Sequence, residues 1–483
     1  MNASLLFPLS LLLASPLAAG PPAEEPITFE ASSGNTVDAF RGTLTVPENR
    51  ADPGSRTITL SYIRFPATTD APGSPIIYLA GGPGGSGSGT AAGPRFPLFM
   101  AMRRHGDVIA FDQRGTGEST ELPRCVSSVV PSQTEALSDE AYAELYRAAA
   151  VECAAFWRSE GVDIGGYTTR ESVRDLSALR QHLNADHMTL WGISYGTHLA
   201  LAALDEIPDE IDRAILASTE GLDHTVKLPA ETDAYFDRLQ AAVDRQPGAK
   251  QLYPDIVGMV RRVHERLDDA PIPIELRSRR GDTFPFLLQR RHLQLLSSRL
   301  IADPESAALV LGLYRDLDRR NTVLAERLLG FFTAPDEPIT LAPMSTAMDV
   351  ASGMSAERLA YFDEQSLRAL LGGYLNFPMP QLLGAWPDLD LGPDFRDGPT
   401  GDTPILLLSG TLDGRTYPDS QCEAVTGLTD VTTITIQGAG HNLFMTSPGV
   451  GEAMHRFLKG ERPERHVIEV EVPDLALLPD WAT

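Results

Sequence analysis

Apolar residues come along this chain in short bursts, and the spacing inside each burst separates strands from helices. Two early segments, Phe40–Val46 and Arg56–Phe65, alternate apolar and polar positions. They predict antiparallel strands joined by a turn rich in Pro, Asn, Asp and Gly. Runs of strand length then recur at Pro75–Ala80, Asp107–Phe111, His187–Trp191, Ile211–Ala217, Pro404–Ser409 and Val431–Ile436. A short apolar run bounded by turn residues reads as a strand buried on both faces. Apolar positions at helical spacing separate several of these runs, as in Ser138–Ser159 and Arg170–Leu183. Strands alternating with helices predict a mostly parallel sheet with helices on both faces, an α/β fold.

Past Ile215 the rhythm changes. Thr232–Val243, Asp255–Leu267, Arg290–Ile301 and Ser306–Leu317 all have helical spacing, interrupted by a possible hairpin, Ile272–Leu276 with Thr283–Leu287. Strand-like runs resume only at residue 404. The expectation is a sheet-based core in two parts, 21–224 and 401–483, with a mainly helical insertion over 225–400. Residues 1–20 stand apart. Leu5 to Leu17 is almost wholly apolar and Ala18, Ala19 and Gly20 follow, the shape of a secretory signal, although no Lys or Arg precedes the run. No later stretch is long and apolar enough to span a bilayer, so stable membrane insertion is not expected. The predicted location is periplasmic or extracellular.

Charge narrows the partners. With 40 Lys and Arg against 65 Asp and Glu, the formal charge is −25. Such a surface repels phosphate backbones, which argues against a nucleic-acid partner. Three cysteines in an exported chain raise the question of pairing. A bridge between Cys125 and Cys153, 28 residues apart, with Cys422 free is the simplest assignment; three reduced thiols are the alternative. No cysteine spacing resembles a zinc site, and neither a metal nor another cofactor is implied.

Candidate chemistry begins at Gly192-Ile193-Ser194-Tyr195-Gly196, after one strand and before a helix. A strand-to-helix elbow needs glycines around the nucleophile because its backbone is strained and the turn is crowded. The helix start also aims free N–H groups at developing negative charge. A nucleophilic serine needs a base and an acid to orient it, and on such a sheet they follow in the order Ser, Asp, His. Asp413 follows the strand Pro404–Ser409, and His441 sits in Gly438-Ala439-Gly440-His441-Asn442 after Val431–Ile436. All three therefore fall at the carboxyl ends of strands, on one edge of the sheet. Gly81-Gly82-Pro83-Gly84-Gly85 leads to no Gly-Lys-Ser/Thr sequence, so a phosphate loop does not fit. Its use in acyl chemistry would be a backbone N–H near Gly82 that, with that of Tyr195, binds an oxyanion. Asp112-Gln113-Arg114-Gly115 reads as a loop brace built on ion pairs, and His182, His187 and His198 as structural histidines.

The glycine cluster at 81–85, Asp112-Gln113-Arg114-Gly115-Thr116-Gly117, the Ser194 elbow and the Asp413 and His441 loops together resemble the prolyl iminopeptidase and tripeptidyl aminopeptidase family of α/β-hydrolase serine peptidases. The resemblance runs from about residue 36 to 460 and implies the α/β-hydrolase fold with a helical cap. It also implies acidic residues that bind the substrate's free α-amino group. Glu220, at the end of the strand Ile211–Ala217, is the first candidate and Asp349 the second. Two positions depart from the family pattern: Ala80 stands where a His often opens the glycine motif, and Ala217-Ser218-Thr219-Glu220-Gly221 differs from the usual Asp-Gly-Val. The expected function is an exported serine aminopeptidase acting on peptides through an acyl-enzyme. An esterase with the same three residues, acting on a small ester, is the nearest alternative, and a catalytically silent binding protein the more distant one. Carboxylates lining the pocket would favour the peptidase, and their absence the esterase.

Overall fold

The computed structural model describes residues 24–463 and 466–479. The expected signal segment, 1–20, lies outside them. Ten strands among the described residues form one sheet: β1 (Glu25–Glu30), β2 (Thr36–Pro47), β3 (Thr57–Phe65), β4 (Ile76–Leu79), β5 (Val108–Asp112), β6 (Met188–Ile193), β7 (Ile211–Ala217), β8 (Ile405–Gly410), β9 (Val431–Gln437) and β10 (Val467–Glu469). Their order is β1-β2-β3-β5-β4-β6-β7-β8-β9-β10. Pairings from β5 through β4 to β10 are parallel, whereas β1, β2 and β3 join antiparallel at one edge.

The continuous apolar runs have a direct explanation. Successive side chains of a strand point to opposite faces. Ile77, Leu79, Ile109, Phe111, Leu190, Leu216 and Leu407 enter one core, under the helices Asp139–Ser159, Thr169–His182 and Tyr195–Glu206. Tyr78, Val108, Trp191, Ile215 and Leu406 enter another, under Phe96–Met102 and Pro448–Leu458. Burial on both faces leaves no polar position to break the run. The two outermost strands lacked that signal: β1 and β10 are short and partly exposed, and neither stands out in the sequence.

Between β7 and β8 the chain is mainly helical, with Pro229–Asp244, Ile256–Asp269, Arg290–Leu300 and Pro304–Asp318 around the antiparallel hairpin Ile272–Arg277 and Thr283–Leu288. These elements share a separate core that includes Leu239, Val260, Leu293 and Leu313. The later part of the segment behaves differently. Met348 and Ala351, from the helix Pro343–Ser352, join the core beneath the sheet with Leu176 and Tyr195. Among the described residues no helix is long and apolar enough to cross a membrane.

Cys125 and Cys153 are disulfide-bonded, with their Cα atoms 5.5 Å apart, and Cys422 is free and exposed. The bridge ties the short strand Cys125–Val126, itself paired with Thr340–Leu341, to the helix Asp139–Ser159. Both cysteines are buried. Closing a loop of this length restricts the unfolded chain and stabilises the fold by roughly 3 to 4 kcal/mol in the chain-entropy account. Cys125→Ala/Cys153→Ala is therefore expected to lower the urea midpoint and to raise the m-value, because the unfolded chain becomes less compact. An unchanged midpoint would show that the bridge contributes nothing to stability.

Candidate active site

Ser194 stands between β6 and the helix Tyr195–Glu206, with φ 54° and ψ −129°. Few residues with a side chain adopt such a backbone, and it persists because neighbours fix it. Its N–H donates to the Ala217 carbonyl at 3.1 Å, and its carbonyl accepts from the Thr197 N–H at 2.7 Å. The flanking glycines follow from crowding. A β-carbon on Gly192 would lie 2.6 Å from the Gly196 oxygen, and one on Gly196 would collide with the Leu79 carbonyl of β4. The motif is thus set by strand-to-helix packing.

Asp413 lies just beyond β8 and is fully buried. Its carboxylate accepts from the Arg415 N–H at 2.8 Å, the Thr416 N–H at 2.9 Å and the Thr416 hydroxyl at 2.8 Å. His441 Nδ1 is 3.0 Å from each carboxylate oxygen. Burial by itself would raise the Asp413 pKa, but the charge and hydrogen bond of His441, with the Thr416 and Arg415 N–H groups, outweigh it. The carboxyl is held below its ordinary range. An ionised Asp413 takes the proton side of Nδ1 and leaves Nε2 as the free ring nitrogen. The backbone of His441 is fixed as well: its N–H donates to Ala302 O at 2.9 Å, and its carbonyl accepts from the Ser218 hydroxyl at 2.8 Å.

Ser194 and His441 line one cavity of about 740 Å³, together with Gly81 and Gly82. Gly82 has φ +127°, a conformation that side chains disfavour, so a glycine is needed at this turn of the loop. Tyr195 is the first residue of its helix, where a backbone N–H has no partner within the helix itself. Its side chain points away, with the hydroxyl 2.8 Å from Met348 Sδ. Of the two residues expected to bind an oxyanion through the backbone, Gly82 lines the cavity and Tyr195 directly follows Ser194.

The two acidic candidates are placed differently. Neither Glu220 nor Asp349 lines the cavity. Glu220 is buried, and its carboxylate forms an ion pair with Lys227, seven residues on. Glu220, the first candidate for the substrate's amino group, thus already has an internal ammonium partner. Asp349 lies near this pair. Burial, then the Glu220 charge, pushes its carboxyl up to about 8, so it is mostly protonated at neutral pH. Asp112 and Arg114 brace loops. Asp112 accepts from the hydroxyls of Ser86 at 2.7 Å and Ser88 at 2.6 Å, and buried Arg114 pairs with Asp175 at 2.7 Å. His198 is buried between the Gly221 carbonyl, 3.1 Å away, and the Ser352 hydroxyl, 3.0 Å away.

Sequence reading did not find the other residues that shape the cavity: Arg95, Arg299, Arg415, Tyr142 and Tyr146. They come from distant elements and share no local motif, so nothing in the sequence marks them as a group.

A family profile described as the alpha/beta hydrolase fold matches residues 74–448. The serine protease Hip1 of Mycobacterium tuberculosis H37Rv is 32% identical over 184 residues, 37% of this chain and 35% of that protein. The tripeptidyl aminopeptidase of Streptomyces coelicolor is 31% identical over 194 residues, covering 37% of this chain and 34% of the relative. A proline iminopeptidase of Arabidopsis thaliana is 26% identical over 218 residues, 44% of each chain. The match thus spans about a third of the length of the first two relatives.

Proposed function

Because this chain belongs to the alpha/beta hydrolase fold family, we propose that it is an exported serine peptidase releasing N-terminal residues or short peptides through an acyl-enzyme. One observation carries the proposal: His441, held at 3.0 Å by buried Asp413, lines the same cavity as the elbow serine Ser194. In the proposed reaction His441 Nε2 takes the Ser194 hydroxyl proton as Oγ attacks the substrate carbonyl. The backbone N–H groups of Gly82 and Tyr195 receive the negative charge on the carbonyl oxygen. Each such donor is worth roughly 3 kcal/mol in the transition state. His441 then protonates the departing amine, and water activated by the same ring releases the acyl group from Ser194. Asp413 keeps the proton on Nδ1 throughout. The names of the relatives support a peptidase, and the apolar stretch Leu5 to Leu17 supports export.

A specific observation favours a second reading, an esterase. Among the described residues that line the cavity none is Asp or Glu, which suits an uncharged acyl group better than an ammonium group. One panel separates the two: aminoacyl and tripeptidyl arylamides beside p-nitrophenyl esters, with Ser194 labelling by a fluorophosphonate as the common control. Turnover of free-amine arylamides, lost on N-acetylation, is the expected result. Ester turnover with no arylamide cleavage would replace the peptidase by the esterase.

A further inference from the structure

The charged side chains of the cavity are of one sign. Besides His441, its lining among the described residues includes the cations Arg95, Arg299 and Arg415 and no Asp or Glu. Arginines elsewhere in the fold are commonly paired with acids, as in Arg114–Asp175 and Arg180–Glu210. These three are held by neutral groups. Arg95 donates to the Tyr78 hydroxyl at 2.5 Å and to Asn442 Oδ1 at 3.0 Å, with its guanidinium 5.4 Å above the Phe444 ring. Arg415 donates to the carbonyls of Ser298 at 3.1 Å and Leu375 at 2.9 Å. Arg299 is exposed, and its guanidinium stands 5.4 Å from the Phe332 ring.

The acids near these groups have other hydrogen-bond partners; exposed Glu337, beside Arg299 in the adjoining pocket, accepts from the Ala334 N–H at 3.2 Å. Asp413 is engaged by His441, and Asp303 is taken up by the N–H of Asn442 at 2.9 Å and its amide at 2.6 Å. Glu220 is paired with Lys227, and burial keeps Asp349 mostly protonated at neutral pH. Acid is not scarce in a chain of net charge −25, so three guanidinium groups without a carboxylate hydrogen-bond partner lining one cavity run against the overall composition. A concave site with low-dielectric walls focuses that field on whatever enters. Guanidinium is also the side chain best shaped to grip a carboxylate through two parallel N–H bonds.

We infer that the cavity selects substrates carrying a carboxylate, in addition to the acyl bond to be broken, and that Arg95, Arg299 and Arg415 bind it. This inference rests on the hydrolase reading above for turnover, but not for binding. Matched pairs test it: p-nitrophenyl hydrogen glutarate against p-nitrophenyl valerate, and a short peptide with a free carboxyl terminus against its amide. The first pair places the carboxylate on the acyl side and the second on the leaving side. The anionic member of at least one pair is expected to show roughly tenfold to a hundredfold higher kcat/KM, the range for a charge-assisted contact. Arg299→Gln, at an exposed position that folding tolerates, should bring that ratio down, and so should Arg95→Gln. Equal or inverted preference in both pairs, or a preference that none of the arginine substitutions changes, would overturn the inference. Glutarate binding to the Ser194→Ala protein, read by calorimetry, separates the two ideas. Binding without any turnover by the parent enzyme would end the hydrolase reading and leave the anion site standing; no binding and no preference would end the anion site alone.

Discussion

Ser194→Ala is expected to lower kcat by about 10⁴ to 10⁶-fold while leaving the fold intact. In the proposed reaction the loss is large because Oγ forms the acyl bond, and His441 and Asp413 act through it. Removing one member of such a unit costs nearly as much as removing all of them. Alanine keeps the β-carbon, so the backbone at φ 54° and the bonds to Ala217 and Thr197 are unaffected. Thermal unfolding should coincide with that of the parent protein. A variant that folds and retains a tenth of the activity would remove Ser194 from the chemistry, as would fluorophosphonate labelling that maps elsewhere.

The second large effect belongs to Asp413→Asn, for which a loss of about 10⁴-fold in kcat is expected. Asn has the same shape but the wrong polarity. Asp413 accepts from two backbone N–H groups, the Thr416 hydroxyl and His441 Nδ1. A carboxamide cannot accept on both sides. Whichever way it turns, its NH₂ meets a donor, and the His441 tautomer with a lone pair on Nε2 loses its support. The same substitution has a pH signature. Because the folded pKa of Asp413 is depressed, its ionised form adds stability above its unfolded value, near 3.9, and that stability is lost as pH falls through the folded value. The Asn variant should lack this part of the acid-side decline, measured as urea midpoints down the acid range. Less than a tenfold loss in kcat would mean that other contacts orient His441.

How far the sequence reached depended on how local each feature is. The strands β4, β5, β6 and β8 were legible because burial on both faces writes itself as a nearly continuous apolar run, and the helices because one buried stripe recurs every turn. The elbow was legible too, since its glycines answer to contacts made by residues one or two positions from Ser194 and by the neighbouring strand. Asp413 and His441 could be placed because each follows a strand of the same parallel sheet, and parallel strands end on one edge. Glu220 was placed on that edge for the same reason. Yet position on an edge says nothing of partners, and Lys227 had no motif to announce that it would fold back onto that carboxylate.

The sequence by itself therefore determined the layered sheet, its helical covering, the helical insertion and the order of Ser194, Asp413 and His441, all of which rest on short-range periodicity and on strand ends. Only the tertiary structure decided what surrounds them. Arg95 follows β4, Arg299 lies in the inserted segment and Arg415 lies beyond β8, hundreds of residues apart in places. Their meeting in one cavity, with Glu220 and Asp349 left outside its lining, depends on how the insertion packs across the sheet edge. The charge of a cavity is a sum over groups brought together by packing, and no window of sequence contains that sum.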